Sequence, residues 1–371
     1  MFHFFVAIPC LIVIARYLAP LRWPLWIKIL LSALLLLVSQ HHLLTYLAFG
    51  SMFSPEVPRT MVLAINGVFG TLLLLAVFQL AVDLVTIFLM VIKRRRLTIP
   101  ASLRYAIGVI ALGIAAFAVN QATRVPPLKE VEITIDGLPA PFDGYQIIHL
   151  TDLHVSRLFE APWVEAVVAK TNALAPDLIV ITGDLIDGDL EARRVDVAPL
   201  QALSAPDGVH ASPGNHEYYF GYEQWMAHYQ SLGMQTLANQ HAVITRDGAD
   251  LVLAGITDLR APRTGWPAPD VKEALAGAPT DAPIILLDHQ PFDAAIAAAA
   301  GANVQLSGHT HGGMIWGFDR IVARANNGFV SGMYDVDGMT LYVNNGTGLW
   351  PGFALRLGKP SELTRITLRQ G

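Results

Sequence analysis

The chain has 371 residues, 53% hydrophobic and 15% charged, and its mean hydropathy of +0.45 is high for a soluble enzyme. A net charge of −5 and a pI near 6.2 supply no basic field for nucleic acid, and the single cysteine, Cys10, excludes an intramolecular disulfide and a thiolate metal cluster. Apolar residues crowd before about residue 123. That asymmetry predicts a membrane domain over 1–122, a linker with an opening strand over 123–144, and a catalytic domain over 145–371.

A spanning helix needs about 20 apolar residues to cross roughly 30 Å of hydrocarbon. Four stretches qualify, roughly 2–20, 25–48, 61–92 and 104–122. The first lacks a basic n-region and a small-x-small cleavage site, so it reads as a retained helix and not as a signal peptide. Arg16, Arg22 and Lys28 lie at the first connection and Lys93, Arg94, Arg95, Arg96 and Arg104 at the third, whereas the second offers only Arg59. The positive-inside rule then places the first and third connections in the cytoplasm and everything after the fourth helix outside, as in a multi-pass inner-membrane protein with a periplasmic catalytic domain. The arginine cluster also matches a twin-arginine export signal, although anchoring already accounts for it. Asp83 falls near the middle of the third run, where an ionisable group is either functional or paired with another helix, with His41 or His42 as partner.

After the opening strand "EVEITI", short apolar strands alternate with polar turns and helical stretches. "QIIHL" runs into "TDLH", "DLIVI" into "TGDLID", "GVHA" into "SPGNHE", "LVLAG" into "ITD", "IILL" into "DHQP" and "VQL" into "SGHTHGG". Between them, "WVEAVVAKTNAL", "EQWMAHYQSL" and "DAAIAAAA" have helical spacing. The pattern predicts an α/β domain with buried strands, in which the polar clusters sit just past strand carboxyl ends, where such folds place ligands.

Those clusters hold Asp152 and His154, Asp184 and Asp187, Asn215 and His216, His289, and His309 and His311. Carboxylate, imidazole and amide oxygen without thiolate form the ligand set of a divalent ion such as Mn, Zn or Fe. The number of such groups points to two divalent metal ions, with Asp184, midway in the set, as the bridge. A metal pair about 3.5–4 Å apart generates a hydroxide at neutral pH and clamps a phosphoryl group for in-line displacement, so the chemistry implied is phosphate ester hydrolysis. Gly183, Gly214 and Gly308 let the chain turn sharply at these ligands without a Cβ clash. His149, His210, His228 and His241 are left as core or surface histidines.

"DLH", "GDLID", "GNHE", "DHQP" and "GHTH" stand in the order that resembles the calcineurin-like metallophosphoesterase superfamily, and the tail from "LYVNNGTG" onward is similar to its membrane-associated bacterial branch, typified by the YkuE and YaeI phosphoesterases. The resemblance spans roughly 145–370 and implies a four-layer αββα sandwich, preceded here by four transmembrane helices. It implies that Asp152, His154, Asp184 and His311 hold one ion and that Asp184, Asn215, His289 and His309 hold the other. His216 becomes the catalytic acid that protonates the leaving alkoxide. Asp187 is expected to orient a neighbour and not to bind metal.

The segment 312–338 mixes Trp316, Phe318, Phe329 and Tyr334 with Arg320 and Arg324, and reads either as a lid or as a cap on the second sheet's core. The expected function is metal-dependent hydrolysis of a phosphomonoester or phosphodiester outside the cytoplasm, with membrane lipids as neighbours and a lipid or lipid-linked headgroup favoured by the short tether. The rival is a membrane sensor or transport component whose phosphoesterase-like domain only binds a phosphorylated ligand.

Overall fold

The computed structural model describes residues 2–371 and divides into two compact units, residues 1–121 with Pro351–Leu355, and residues 122–350 with 356–371. In the first unit, α1 (Phe2–Ile12) continues as a π-helical turn over Val13–Leu18. It is followed by α2 (Leu25–Ser39), α3 (His41–Phe49), α4 (Arg59–Lys93) and α5 (Ala101–Thr123). Among the described residues, α4 and α5 are each long and apolar enough to cross a membrane. The second expected span is bent by 60° between α2 and α3 and counts as a crossing only if the pair is taken as one. Within the first expected span, 2–20, the apolar helix found among the described residues is the shorter Phe5–Leu18, which does not count as a crossing, and it carries Pro9.

Asp83 does not pair with His41 or His42. Arg16 Nε donates to Asp83 Oδ2 at 2.9 Å and Arg16 Nη2 to Oδ1 at 3.2 Å, while Gln79, one turn earlier on α4, donates to Oδ1 at 2.8 Å. The guanidinium fork matches a carboxylate better than one imidazole N–H can. The two histidines instead meet the carbonyl of Gly352 at 3.0 and 2.8 Å. Asn66 donates to Pro351 O at 2.8 Å and accepts from Ala354 N at 2.7 Å. Three buried polar side chains thus satisfy the backbone of a segment more than 280 residues away in sequence.

In the second unit, the strands are β1 (Leu128–Ile135), β2 (Gln146–Leu150), β3 (Leu178–Thr182), β4 (Val209–Ser212), β5 (Gln235–Thr236), β6 (Gln240–Arg246), β7 (Ala249–Gly255), β8 (Ile284–Leu287), β9 (Val304–Ser307), β10 (Gly332–Val336), β11 (Met339–Val343) and β12 (Leu363–Gln370). They form two six-stranded sheets, ordered β1-β12-β2-β3-β4-β5 and β10-β11-β9-β8-β7-β6. β2, β3, β4 and β5 run parallel, as do β7, β8, β9 and β11. The period of two along a strand divides the core. Ile147, Leu178 and Val180 pack against Leu251, Leu253, Ile285 and Leu287 between the sheets. Ile148, Ile179 and Ile181 point the other way, onto Val164 and Val168 of α6 (Ala161–Asn172). The second sheet's outer face, Ala254, Leu286 and Leu341, meets Ala294 and Ala297 of a short helix over Ala294–Ala299.

The segment 312–338 holds a helix over Asp319–Ala325 and strand β10. Phe329 and Tyr334 pack on the second sheet's outer core, as a cap does, whereas Trp316 remains 80% exposed.

His149 on β2 is fully buried, with Nε2 2.8 Å from Thr182 Oγ1 and Nδ1 facing no partner. Burial pushes its pKa down to about 3. A histidine depressed in the folded state contributes stability that is present above its unfolded value, about 6.5, and lost as pH falls toward 3, at about 1.4 kcal/mol per unit. The melting temperature of the EDTA-treated chain in detergent should therefore drop between about pH 7 and about pH 5, and His149→Gln should flatten that drop. Parallel wild-type and variant curves would show that this imidazole does not couple to folding.

Candidate metal centre

The residues that follow β2, β3, β4, β8 and β9 converge at one edge of the two sheets, as parallel strands require of their carboxyl-end loops. Asp152, His154, Asp184, His309 and His311 all have left-handed backbones, with φ of 51°, 46°, 52°, 66° and 50°. Side chains with a Cβ avoid that region, and its occupation at five positions marks a place where backbone preference yields to side-chain aim. Gly214 and Gly308 serve a different need. A Cβ on Gly214 would lie 2.3 Å from Asp184 Oδ1, and one on Gly308 would lie 2.2 Å from Asp152 Oδ2.

Three groups of side chains each bring candidate ligand atoms within 4.8 Å of one another: Asp152, His154 and His311; His154, Asp184 and His216; and Asp184, His289 and His309. Asp184 Oδ2 is 3.2 Å from His289 Nε2 and 3.8 Å from both His154 Nε2 and His216 Nε2. Asn215 joins the third group through Oδ1, 3.2 Å from His289 Nε2. The eight residues expected to bind metal or donate the proton are therefore together.

Hydrogen bonds on the far side of two rings decide what faces inward. His289 Nδ1 donates to Thr182 O at 2.8 Å, and His154 Nδ1 to Asp187 Oδ2 at 3.1 Å. The inward Nε2 of a neutral ring is then a lone pair. His289 Nε2 confronts Asn215 Oδ1 and Asp184 Oδ2, while His154 Nε2 confronts His311 Nε2 at 3.3 Å. Such acceptors aimed at acceptors in a buried space need a proton or a metal cation between them, and imidazole, carboxylate and amide donors so aimed fit a divalent metal.

The charge balance agrees. Burial opposes the charge of His154, but Asp187, Asp152 and Asp184 raise its pKa to about 10, and Asp184 likewise raises His289 well above its ordinary value. Burial opposes ionisation of Asp152 and Asp184 too, yet the surrounding imidazoles hold both below the usual carboxylate range. Burial and the neighbouring His289 push His309 down to about 4, and burial holds His311 low as well, so these two rings stay neutral as ligands must. Protons on His154 and His289 occupy the place where positive charge is needed.

Three residues support the candidate ligands from behind. Asp187 holds two rings: besides His154, its Oδ1 makes a short hydrogen bond to His216 Nδ1. Glu217 accepts from the backbone N–H groups of Asp184, Leu185 and Gly214, at 3.0, 2.8 and 2.7 Å, and from Tyr229 OH at 3.0 Å. Arg356, fully buried, donates to the carbonyls of His311, Asn345, Gly348 and Lys359. Glu217 lay in view within "GNHE". Arg356 carried no signal, because backbone carbonyls from three loops have no sequence signature.

The signature of the family described as calcineurin-like phosphoesterase matches residues 145–313. An uncharacterized metallophosphoesterase of Campylobacter jejuni is 32% identical, over 78% of this chain and 77% of its own. The chain belongs to the calcineurin-like metallophosphoesterase family. YkuE of Bacillus subtilis, an uncharacterized member, is 34% identical over 65% of this chain and 86% of its own. A zebrafish protein named transmembrane protein with metallophosphoesterase domain is 35% identical over 71% of this chain, and the match spans 62% of the zebrafish protein.

Glu217 is buried with a pKa raised by burial and by Asp184, and it leaves three backbone donors without an acceptor when removed. Glu217→Ala should cost about 3 kcal/mol or more, and Glu217→Gln, which keeps one acceptor oxygen, distinctly less. Denaturant titration of the two variants measures both values; equal losses would mean that the backbone clamp contributes little.

Proposed function

We propose that this protein is a membrane-anchored, two-metal phosphoesterase. Asp152, His154, Asp184 and His311 would hold one ion, and Asp184, Asn215, His289 and His309 the other, with Asp184 shared. The observation that carries this reading is the convergence of imidazole nitrogens, carboxylate oxygens and the Asn215 amide oxygen around Asp184 Oδ2. Bound divalent ions would supply Lewis acidity toward the phosphoryl oxygens and acidify water near neutral pH.

The chain's own residues supply the rest. His216 Nδ1 is tied to Asp187, which directs Nε2, 3.8 Å from Asp184 Oδ2, toward the same space. Protonated there, Nε2 would deliver its proton to the departing alkoxide, and the Asp187 carboxylate would steady the ring's charge. His216 N also donates to Asp184 Oδ1 at 2.8 Å, so acid and shared carboxylate hold a fixed spacing. The substrate is a phosphomonoester or phosphodiester. The apolar helices α4 and α5 and the basic residues around Arg94 support anchoring in the inner membrane with the site outside, where a lipid-linked headgroup is within reach.

The full chain in detergent, given Mn²⁺ or Zn²⁺ and bis(p-nitrophenyl) phosphate, should release p-nitrophenol, and a chelator should stop it. Asp184→Asn should reduce turnover by more than about 10³-fold along with metal content, while His216→Ala should lose about 10²–10⁴-fold with its metal retained. Stoichiometric metal with no turnover would favour a module that only binds phosphorylated ligands. A reporter fused at Gly371 tests the topology, and a cytoplasmic signal would overturn the orientation.

A further inference from the structure

Beside the candidate metal centre lies a cavity of about 440 Å³, lined by Asn215 and His309 and also by Tyr219, Arg260, Arg263 and Phe292. That volume suits a whole organic ligand. Arg260 follows β7 and stands immediately before a 3₁₀ turn over Ala261–Thr264 that carries Arg263. Its guanidinium lies 4.9 Å from the centroid of the Tyr219 ring, which fixes the plane of the fork. Tyr219 closes the short helix Asn215–Tyr219, so the ring that seats Arg260 shares a rigid element with Asn215 and His216.

Among the described residues the guanidinium meets no anion. Nε of Arg260 is buried without a hydrogen-bond partner, and among the described residues neither Arg260 nor Arg263 forms an ion pair. Asp258, two residues earlier, is taken up by Gln290 Nε2, at 3.1 and 2.8 Å, and by the backbone N–H of Arg260 at 2.7 Å. A half-buried cation with unused donors, held by stacking beside the candidate ligands, bears a desolvation cost that an incoming anion would return.

We propose that this cavity recognises a second anionic group of the substrate, carried on the organic side of the scissile ester. The substrate is then a phosphoester whose organic group bears a further phosphate or carboxylate, with Tyr219 and Phe292 flanking the link between the two charges. This rests on the phosphoesterase reading for the position of the first phosphate. The scissile phosphate already has the metals as its counter-charge, and Arg263, exposed on the outer wall, extends the positive field away from them.

Two rigid phosphonates, which cannot be hydrolysed, test it: phenylphosphonate and 1,4-phenylenebisphosphonate, titrated calorimetrically into the Mn²⁺-loaded full chain. The bisphosphonate should bind about tenfold tighter or more, and the ratio should fall to about one in Arg260→Ala/Arg263→Ala. Arg263→Ala alone, at an exposed site that tolerates change, should lose part of the preference. Equal affinities in the wild type, no binding of either probe, or a preference that survives in the double variant would overturn the assignment. Because neither probe turns over, the result is separable from activity. A preference without ester hydrolysis would sink the phosphoesterase reading alone, and hydrolysis without a preference would sink only the second-anion site.

Discussion

The arrangement of the α/β unit follows from one electrostatic demand, which is to keep the Asp184 carboxylate ionised and buried among imidazoles whose Nε2 atoms point at it. An isolated carboxylate in such surroundings would take up a proton. Here the positive charge of neighbouring rings, or of a metal in their place, keeps it charged. Moving any one ligand loop would remove a counter-charge from the others. The site is therefore cooperative, and its geometry is set by several strand ends at once.

Holding that geometry has a backbone cost. Five non-glycine residues with φ between 46° and 66° are each disfavoured by about 1 kcal/mol or more. The compensation comes from behind the ligands. Glu217 clamps the two turns that carry Asp184 and Gly214, Asp187 sets the tautomer of His154 and the direction of His216, and Arg356 gathers carbonyls that include that of His311. A ligand set without these supports would relax its turns before it met a metal.

This division explains what was legible in the sequence. Ligand candidates could be read because each follows an apolar strand and each is a residue type with few structural uses at such a turn. The strands could be read because parallel, doubly covered strands are continuous apolar runs. Support by Arg356 could not be read, since it binds main-chain atoms and any loop has those. The hairpin of β6 and β7 was seen only in its inner strand, because β6, with Gln240, Val243 and Thr245 turned to solvent, has no buried run. In the helical unit, hydropathy found apolar segments but could not see the 60° bend between α2 and α3, which depends on Gln40 and the anchoring of His41 and His42. The choice of Arg16 over histidine for Asp83 is likewise a matter of helix register across 67 residues.

The net charge of −5 also conceals a local contrast that bears on recognition. In the candidate metal centre, carboxylates and imidazoles compensate one another. A short distance along the same cavity wall, Arg260 and Arg263 form no ion pair among the described residues. Salt screens an exposed charge over about 8–10 Å, but screens a half-buried one much less. With metal ions bound in the centre, a ligand bearing one anion would meet either the ions or the arginines, whereas a ligand with two anions joined by an apolar link would meet both and give up little rotational freedom doing so. Selectivity by charge spacing would let the site refuse abundant simple phosphates without a lid, which accords with a segment 312–338 whose Phe329 and Tyr334 pack on the second sheet.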